Sequence, residues 1–115
     1  MTERLRRLVE AGLAFRQAQV AYFRSPTKET SKRALAAVEA FDALVEPELL
    51  QVDDAFSLHS AGLHLRRCQR KWKEIRTSES QIAMMTAEYA FDAMLRRLVD
   101  AMAEATSPEP MEVSR

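Results

Sequence analysis

Residues 58–75 read LHSAGLHLRRCQRKWKEI, and the spacing of the apolar side chains in this stretch decides the fold class. An α-helix has about 3.6 residues per turn, so apolar residues that recur every three or four positions lie along one side of it. The residues that recur in this way are Leu58, Ala61, Leu65, Cys68, Trp72 and Ile75. This stretch therefore predicts an amphipathic helix whose apolar side packs against other helices.

Three more segments show the same periodicity, and together the four segments predict an all-α, antiparallel four-helix bundle. The predicted helices span residues 2–24, 28–46, 54–77 and 79–104. Pro26 separates the first two helices because the residue before a proline avoids the α conformation, and Pro47 is expected to end the second. The other three apolar stripes, all expected to be buried, comprise Leu5, Leu8, Val9, Gly12, Phe15, Val20, Tyr22 and Phe23, then Leu35, Val38, Phe41, Val45 and Leu49, and finally Met84, Ala87, Phe91, Met94, Leu98 and Met102.

The N-terminal boundaries of the third and fourth helices are less sharply marked in the sequence. Either Asp53 or Asp54 is expected to cap the third helix, and Ser78 with Gln81 resembles a capping box for the fourth. One continuous helix over 54–104 is the alternative to two helices. The apolar stripe turns by about 100° near residue 78, however, so a straight helix could not bury both halves against one partner. We therefore expect a turn at this point.

The composition is that of a small globular protein with one domain. The chain has 115 residues, of which 47% are hydrophobic and 30% are charged, and this length supports a single core. Residues 1–104 are predicted to form the bundle and 105–115 a disordered C-terminal tail, because the apolar pattern stops there. No apolar run is long enough to span a membrane or to act as a secretory signal, so a cytoplasmic protein without membrane contact is expected.

Charge is segregated along the chain although the net charge is zero. Residues 34–65 contain six acidic side chains and no Lys or Arg, whereas residues 66–76 contain six basic side chains and one acidic one. Helical projection turns Arg66, Arg67, Arg70 and Lys73 away from the apolar stripe. We expect them to form an exposed basic stripe that could contact an acidic protein or the phosphates of a nucleic acid.

Three polar residues are instead predicted to lie inside the bundle. Arg16 and Gln19 project into the apolar side of the first helix, and Asp42 lies beside the stripe of the second. In an antiparallel hairpin of these helices, Arg16 and Asp42 lie at the same level. The sequence therefore predicts a buried Arg16–Asp42 ion pair with Gln19 close by, which either fixes the hairpin register or binds a small anion.

Some apolar residues fall outside the stripes and predict self-association. These residues are Phe56 and Leu63 on the third helix and Ile82, Met85 and Tyr89 on the fourth. A chain of this length has more apolar surface here than one core can bury, and a two-fold dimer is the simplest way to cover it. We therefore expect these residues to form an oligomer interface.

The sequence contains no signature of catalysis or of metal binding. Cys68 is the single cysteine, and it lies within an apolar stripe, where a thiol usually acts as a small hydrophobic group. His59 and His64 are five residues apart, which points them away from each other on a helix. Because no glycine-rich phosphate loop is present either, we expect no enzyme, no metal and no cofactor.

The expected function is accordingly that of a small, non-catalytic interaction or assembly protein that self-associates. A nucleic-acid accessory protein that uses the basic stripe is the alternative. A small-anion binder or enzyme centred on Arg16 is a more distant one.

Overall fold

The computed structural model describes residues 2–106, with side chains through residue 104. Within this range the chain forms helices α1 (Glu3–Arg24), α2 (Lys28–Ala43), α3 (Asp53–Glu74) and α4 (Ser78–Thr106), and a short 3₁₀ helix (Leu49–Gln51) before α3. The predicted all-α helical bundle is confirmed. The chain leaves the helical conformation at residues 75–77, so the alternative of one continuous helix is wrong. Helix α4 continues through residues 105 and 106, so the predicted start of the tail at 105 is wrong, and residues 107–115 of the predicted tail lie outside the described residues.

The N-terminal caps of α1, α2 and α4 depend on threonines, namely Thr2, Thr27 and Thr77. Thr77 caps α4: its Oγ1 accepts from the Ser80 backbone N–H at 3.1 Å, and the Ser80 Oγ accepts from the Thr77 N–H at 3.1 Å. The predicted box of Ser78 with Gln81 is therefore displaced by one residue. A hydroxyl pair three residues apart satisfies two backbone donors at once, which fixes the start of the helix.

The connection from α2 to α3 also differs from the prediction. Helix α2 ends at Ala43, three residues before the predicted end, because the chain must leave the α conformation ahead of Pro47. Val52 occupies the N-cap position of α3 and makes no side-chain cap hydrogen bond. Asp53 and Asp54 instead lie in the first turn, where a carboxylate is stabilised by the positive end of the helix dipole.

Three phenylalanines form the centre of the core. Phe15, Phe41 and Phe91 are fully buried, and their ring centroids lie 5.7–6.1 Å apart. Gly62 gives α3 the close approach that this cluster requires, since a Cβ at this position would lie 3.3 Å from ring atoms of both Phe41 and Phe91. At this level all four helices are packed together.

The two ends of the bundle are packed differently. The end that holds the start of α1 is closed, and its buried side chains include Leu5, Leu8, Val9, Leu49, Leu58 and Leu98. At the opposite end, three residues of the predicted stripes, Phe23, Leu35 and Ile75, are exposed instead of buried. We call these the closed end and the open end. The prediction fails at the open end because periodicity gives the direction of a side chain but not the presence of a neighbour to cover it.

Candidate functional site

A polar layer lies between Phe41 and Phe91 of the phenylalanine cluster and the open end. It consists of Arg16 and Gln19 on α1, Gln69 on α3, and Glu88 and Asp92 on α4. Arg16 donates from Nε to Asp92 Oδ1 at 2.7 Å, from Nη2 to Asp92 Oδ2 at 3.1 Å, and from Nη1 to Gln19 Oε1 at 2.7 Å. All three guanidinium nitrogens are thus engaged, and the side chain is only 12% exposed.

The rest of the polar layer joins α1 to α3 and α4. Gln19 Nε2 donates to Gln69 Oε1 at 2.8 Å, and Gln69 Nε2 donates to Glu88 Oε2 at 3.3 Å. Glu88 also lies 4.0 Å from Arg16 Nη1. Because these groups satisfy one another, the layer acts as a register lock across three helices. This arrangement does not favour an anion site centred on Arg16.

The predicted Arg16–Asp42 pair is wrong. Helix α1 presents Arg16 to α4, whereas Asp42 faces α3 and accepts two hydrogen bonds from Arg66, at 2.8 and 3.0 Å. Residue spacing predicts that Arg16 and Asp42 lie at the same height in the α1–α2 hairpin. It does not predict which neighbouring helix each side chain contacts. The expected contact of Arg16 with Gln19 is confirmed.

Arg66 consequently does not belong to an exposed basic stripe. Its side chain is largely buried, bound to Asp42, and stacked 5.9 Å from the centroid of the Phe15 ring. Arg67, Arg70 and Lys73 are exposed as predicted. The surface available to an acidic partner or a phosphate thus retains three of the four predicted cations.

A cleft opens between the N-terminal half of α2 and the C-terminal half of α3. Its volume is about 480 Å³. The apolar walls include Tyr22, Phe23, Leu35, Val38, Trp72 and Met84. Gln19, Gln69 and Glu88 of the polar layer line the cleft as well, and Phe15 reaches it from the phenylalanine cluster. Arg66 and Lys73 are the cations of the lining. Sequence reasoning missed this cleft, and the one available signal was that polar side chains replace apolar ones inside the stripe of α1.

The predicted interface residues are all exposed, but they lie on two sides of the molecule. On α4, Met85 lies two turns before Asp92, the residue that binds Arg16 of α1. Ile82 and Tyr89 lie next to Met85, and all three side chains are exposed on the outer surface of α4. On α3, Leu63 lies one turn from Arg66, on the side towards α2. The structure therefore does not join Phe56 and Leu63 to the α4 residues in a single patch.

The cysteine and the histidines form no larger cluster. Cys68 Sγ lies 3.6 Å from His64 Nε2, a neighbour one turn away on α3. His59 is packed, and its Nδ1 is buried without a hydrogen-bond partner among the described residues. Within residues 2–106, no three His, Cys, Asp or Glu side chains are grouped so that they could hold a metal ion.

No family model, curated protein or solved structure matches this chain. Within the described part, no helix combines the length and the apolar character that crossing a membrane requires. Function is therefore inferred from the surfaces described above.

Proposed function

We propose that this chain is a non-catalytic, cytoplasmic interaction protein that associates with a second copy of itself through the outer side of α4. The observation that carries the proposal is the exposure of Ile82, Met85 and Tyr89, at 63%, 55% and 74%. Their spacing of three and four residues aligns them in one strip, which we call the α4 strip. Contiguous large apolar side chains on a small protein are typical of an interface.

The charges that flank the α4 strip favour a second copy as its occupant. Glu79 precedes the strip and Arg96 follows it, and both are exposed. When the two-fold axis is perpendicular to α4, the paired helices are antiparallel, so the acidic end of one α4 lies beside the basic end of the other. One helix thus supplies both of the complementary charges that the dimer needs.

The same register brings large side chains opposite small ones. With the axis midway between Glu79 and Arg96, Tyr89 lies at the level of Thr86 of the second copy. Met85 then lies at the level of Ala90. Thr86 and Ala90 are exposed and small, so they leave space into which the large side chains can pack. This complementarity supports an antiparallel α4 pair.

Two further features bear on the proposal. Cys68 is the single cysteine of the sequence, so the chain does not rely on an internal disulfide, as is usual for cytoplasmic proteins. The nucleic-acid alternative loses support from Arg66, because Asp42 neutralises that guanidinium within the protein. An acidic protein remains the better match for Arg67, Arg70 and Lys73.

Light scattering after size-exclusion chromatography tests the self-association. We expect the wild-type protein at about 100 μM to have twice the 13.1 kDa mass of one chain. Tyr89→Glu is expected to be monomeric, because it places two charges in the centre of the paired strips. Leu63→Glu is the matched control, an exposed apolar residue on another side, and it should remain dimeric. A monomeric wild type at this concentration would overturn the proposal.

Charge reversal tests the antiparallel register. Glu79→Arg and Arg96→Glu alone are each expected to weaken the dimer, since each sets two like charges against each other. The double variant restores opposite charges at both ends and should recover the wild-type dissociation constant to within about threefold. If the double variant is weaker than both single variants, the register is wrong.

A further inference from the structure

We infer that the cleft between α2 and α3 binds an anionic amphiphile, a small molecule with a linear apolar tail and a carboxylate or phosphate head. Three features of the cleft support this class of ligand: its shape, the polar layer that forms its inner boundary, and the cations at its mouth. The site lies apart from the α4 strip, so the inference does not depend on the proposed dimer.

The shape of the cleft suits a small apolar molecule. Its volume of about 480 Å³ falls within the roughly 300–1,000 Å³ of small-molecule sites. All four helices contribute to its walls, which makes it a pocket at one end of the bundle and not a groove along the bundle. Phe23 and Leu35 are more than half exposed at its mouth. A ligand can therefore enter without unfolding a helix, and it would cover apolar surface that water now contacts.

The polar layer limits how far an apolar tail can enter. Gln19 and Gln69 bond to each other and to Arg16 and Glu88, so their polar groups are already satisfied. Displacing these bonds with an apolar tail would leave buried donors and acceptors unpaired, which is costly. The tail is thus expected to lie against Trp72 and Leu35 and to leave the layer intact, and Phe15 is the member of the phenylalanine cluster that it can contact.

The mouth of the cleft favours a negatively charged head. Lys73 lines the cleft and forms no ion pair with the described residues. Lys28 and Lys32 line a shallow depression that shares Tyr22 and Ser31 with the cleft. Glu88 is the acidic residue of the lining, and it lies inside, beside Gln69 and Arg16. An anionic head at the mouth therefore meets cations from both sides.

Trp72 provides a direct measure of binding, because it is the single tryptophan of the chain and lines the cleft. We would titrate the protein with decanoate below its micellar concentration and follow Trp72 fluorescence. Decanol and decyltrimethylammonium present a chain of the same length with a neutral and a cationic head. We expect saturable one-to-one binding of decanoate, with decyltrimethylammonium binding about tenfold more weakly. Decyl phosphate would show whether a phosphate head is accepted in place of a carboxylate.

Two variants with matched controls locate the site. Leu35→Glu is expected to weaken decanoate binding at least about tenfold, whereas Leu63→Glu should bind as the wild type does. Lys73→Glu should weaken decanoate but not decanol, and Arg67→Glu, which lies away from the cleft, should change neither. Circular dichroism checks that each variant is helical. An absence of saturable binding up to about 1 mM, or wild-type affinity in Leu35→Glu, would overturn the inference. Tyr89→Glu separates the two proposals, because it removes the α4 strip and leaves the cleft intact.

Discussion

Arg16 and Arg66 each hold an aspartate through two hydrogen bonds, yet their surroundings differ. The partner of Arg16 is Asp92 on α4, and Gln19, Gln69 and Glu88 extend this contact into a network across three helices. Arg66 also bonds through all three guanidinium nitrogens, to Asp42 and to the Gly62 carbonyl, and its aspartate is 47% exposed against 40% for Asp92. The two pairs therefore differ in connectivity, because removing Arg16 leaves the acceptors of a side-chain network unpaired, whereas removing Arg66 leaves Asp42 and one carbonyl.

Double-mutant cycles test, at the level of single residues, which aspartate is coupled to Arg16. We expect Arg16→Met to lower the free energy of unfolding by about 2 kcal/mol, because it leaves acceptors of the polar layer unpaired. Combined with Asp92→Ala, it should show a coupling energy of about 1 kcal/mol or more in urea denaturation. Combined with Asp42→Ala, it should be additive within about 0.5 kcal/mol. Strong coupling between Arg16 and Asp42 would contradict the structure and restore the pairing expected from sequence.

At the level of the helix, the start of α4 provides a second test. Thr77→Ala removes the hydroxyl that accepts from Ser80, and it is expected to lower the free energy of unfolding by about 1 kcal/mol. Ser78→Ala is the matched control, since sequence spacing assigns the cap to Ser78 and the structure does not. It should change stability by less than about 0.5 kcal/mol. A larger effect at Ser78 than at Thr77, measured by urea denaturation, would show that the helix begins one residue later.

The helices themselves could be predicted from sequence because their causes are local. Periodicity, Pro26 and Pro47 are enough to place four helices, and Phe15, Phe41 and Phe91 lie in the predicted stripes and are buried. The partners of polar side chains could not be predicted, because they depend on the rotation of each helix against its neighbours. For this reason the sequence predicted neither the Asp92 partner of Arg16 nor the Asp42 partner of Arg66. The cleft has the same origin, since it exists where α2 and α3 do not meet.

For the whole molecule, the difference between the closed and open ends predicts uneven stability. In α2, the segment 31–38 has no fully buried side chain, whereas α4 buries Ala87, Phe91, Leu95 and Leu98. Segments with few buried apolar contacts open at lower free energy. We expect the amides of 31–38 to exchange with deuterium at least about tenfold faster than those of 87–98. Equal protection of the two segments in a mass-spectrometric exchange experiment would contradict a bundle that is closed at one end only.

The uneven packing also affects how this protein can change over evolutionary time. Replacing a leucine at the closed end removes about 2–5 kcal/mol of stability, which is a large share of what a small domain has. Phe23 and Leu35 are already mostly in water, so substitutions there cost far less. Single substitutions at the open end can therefore alter the ligand preference that we infer for the cleft, while the residues on which folding depends stay as they are.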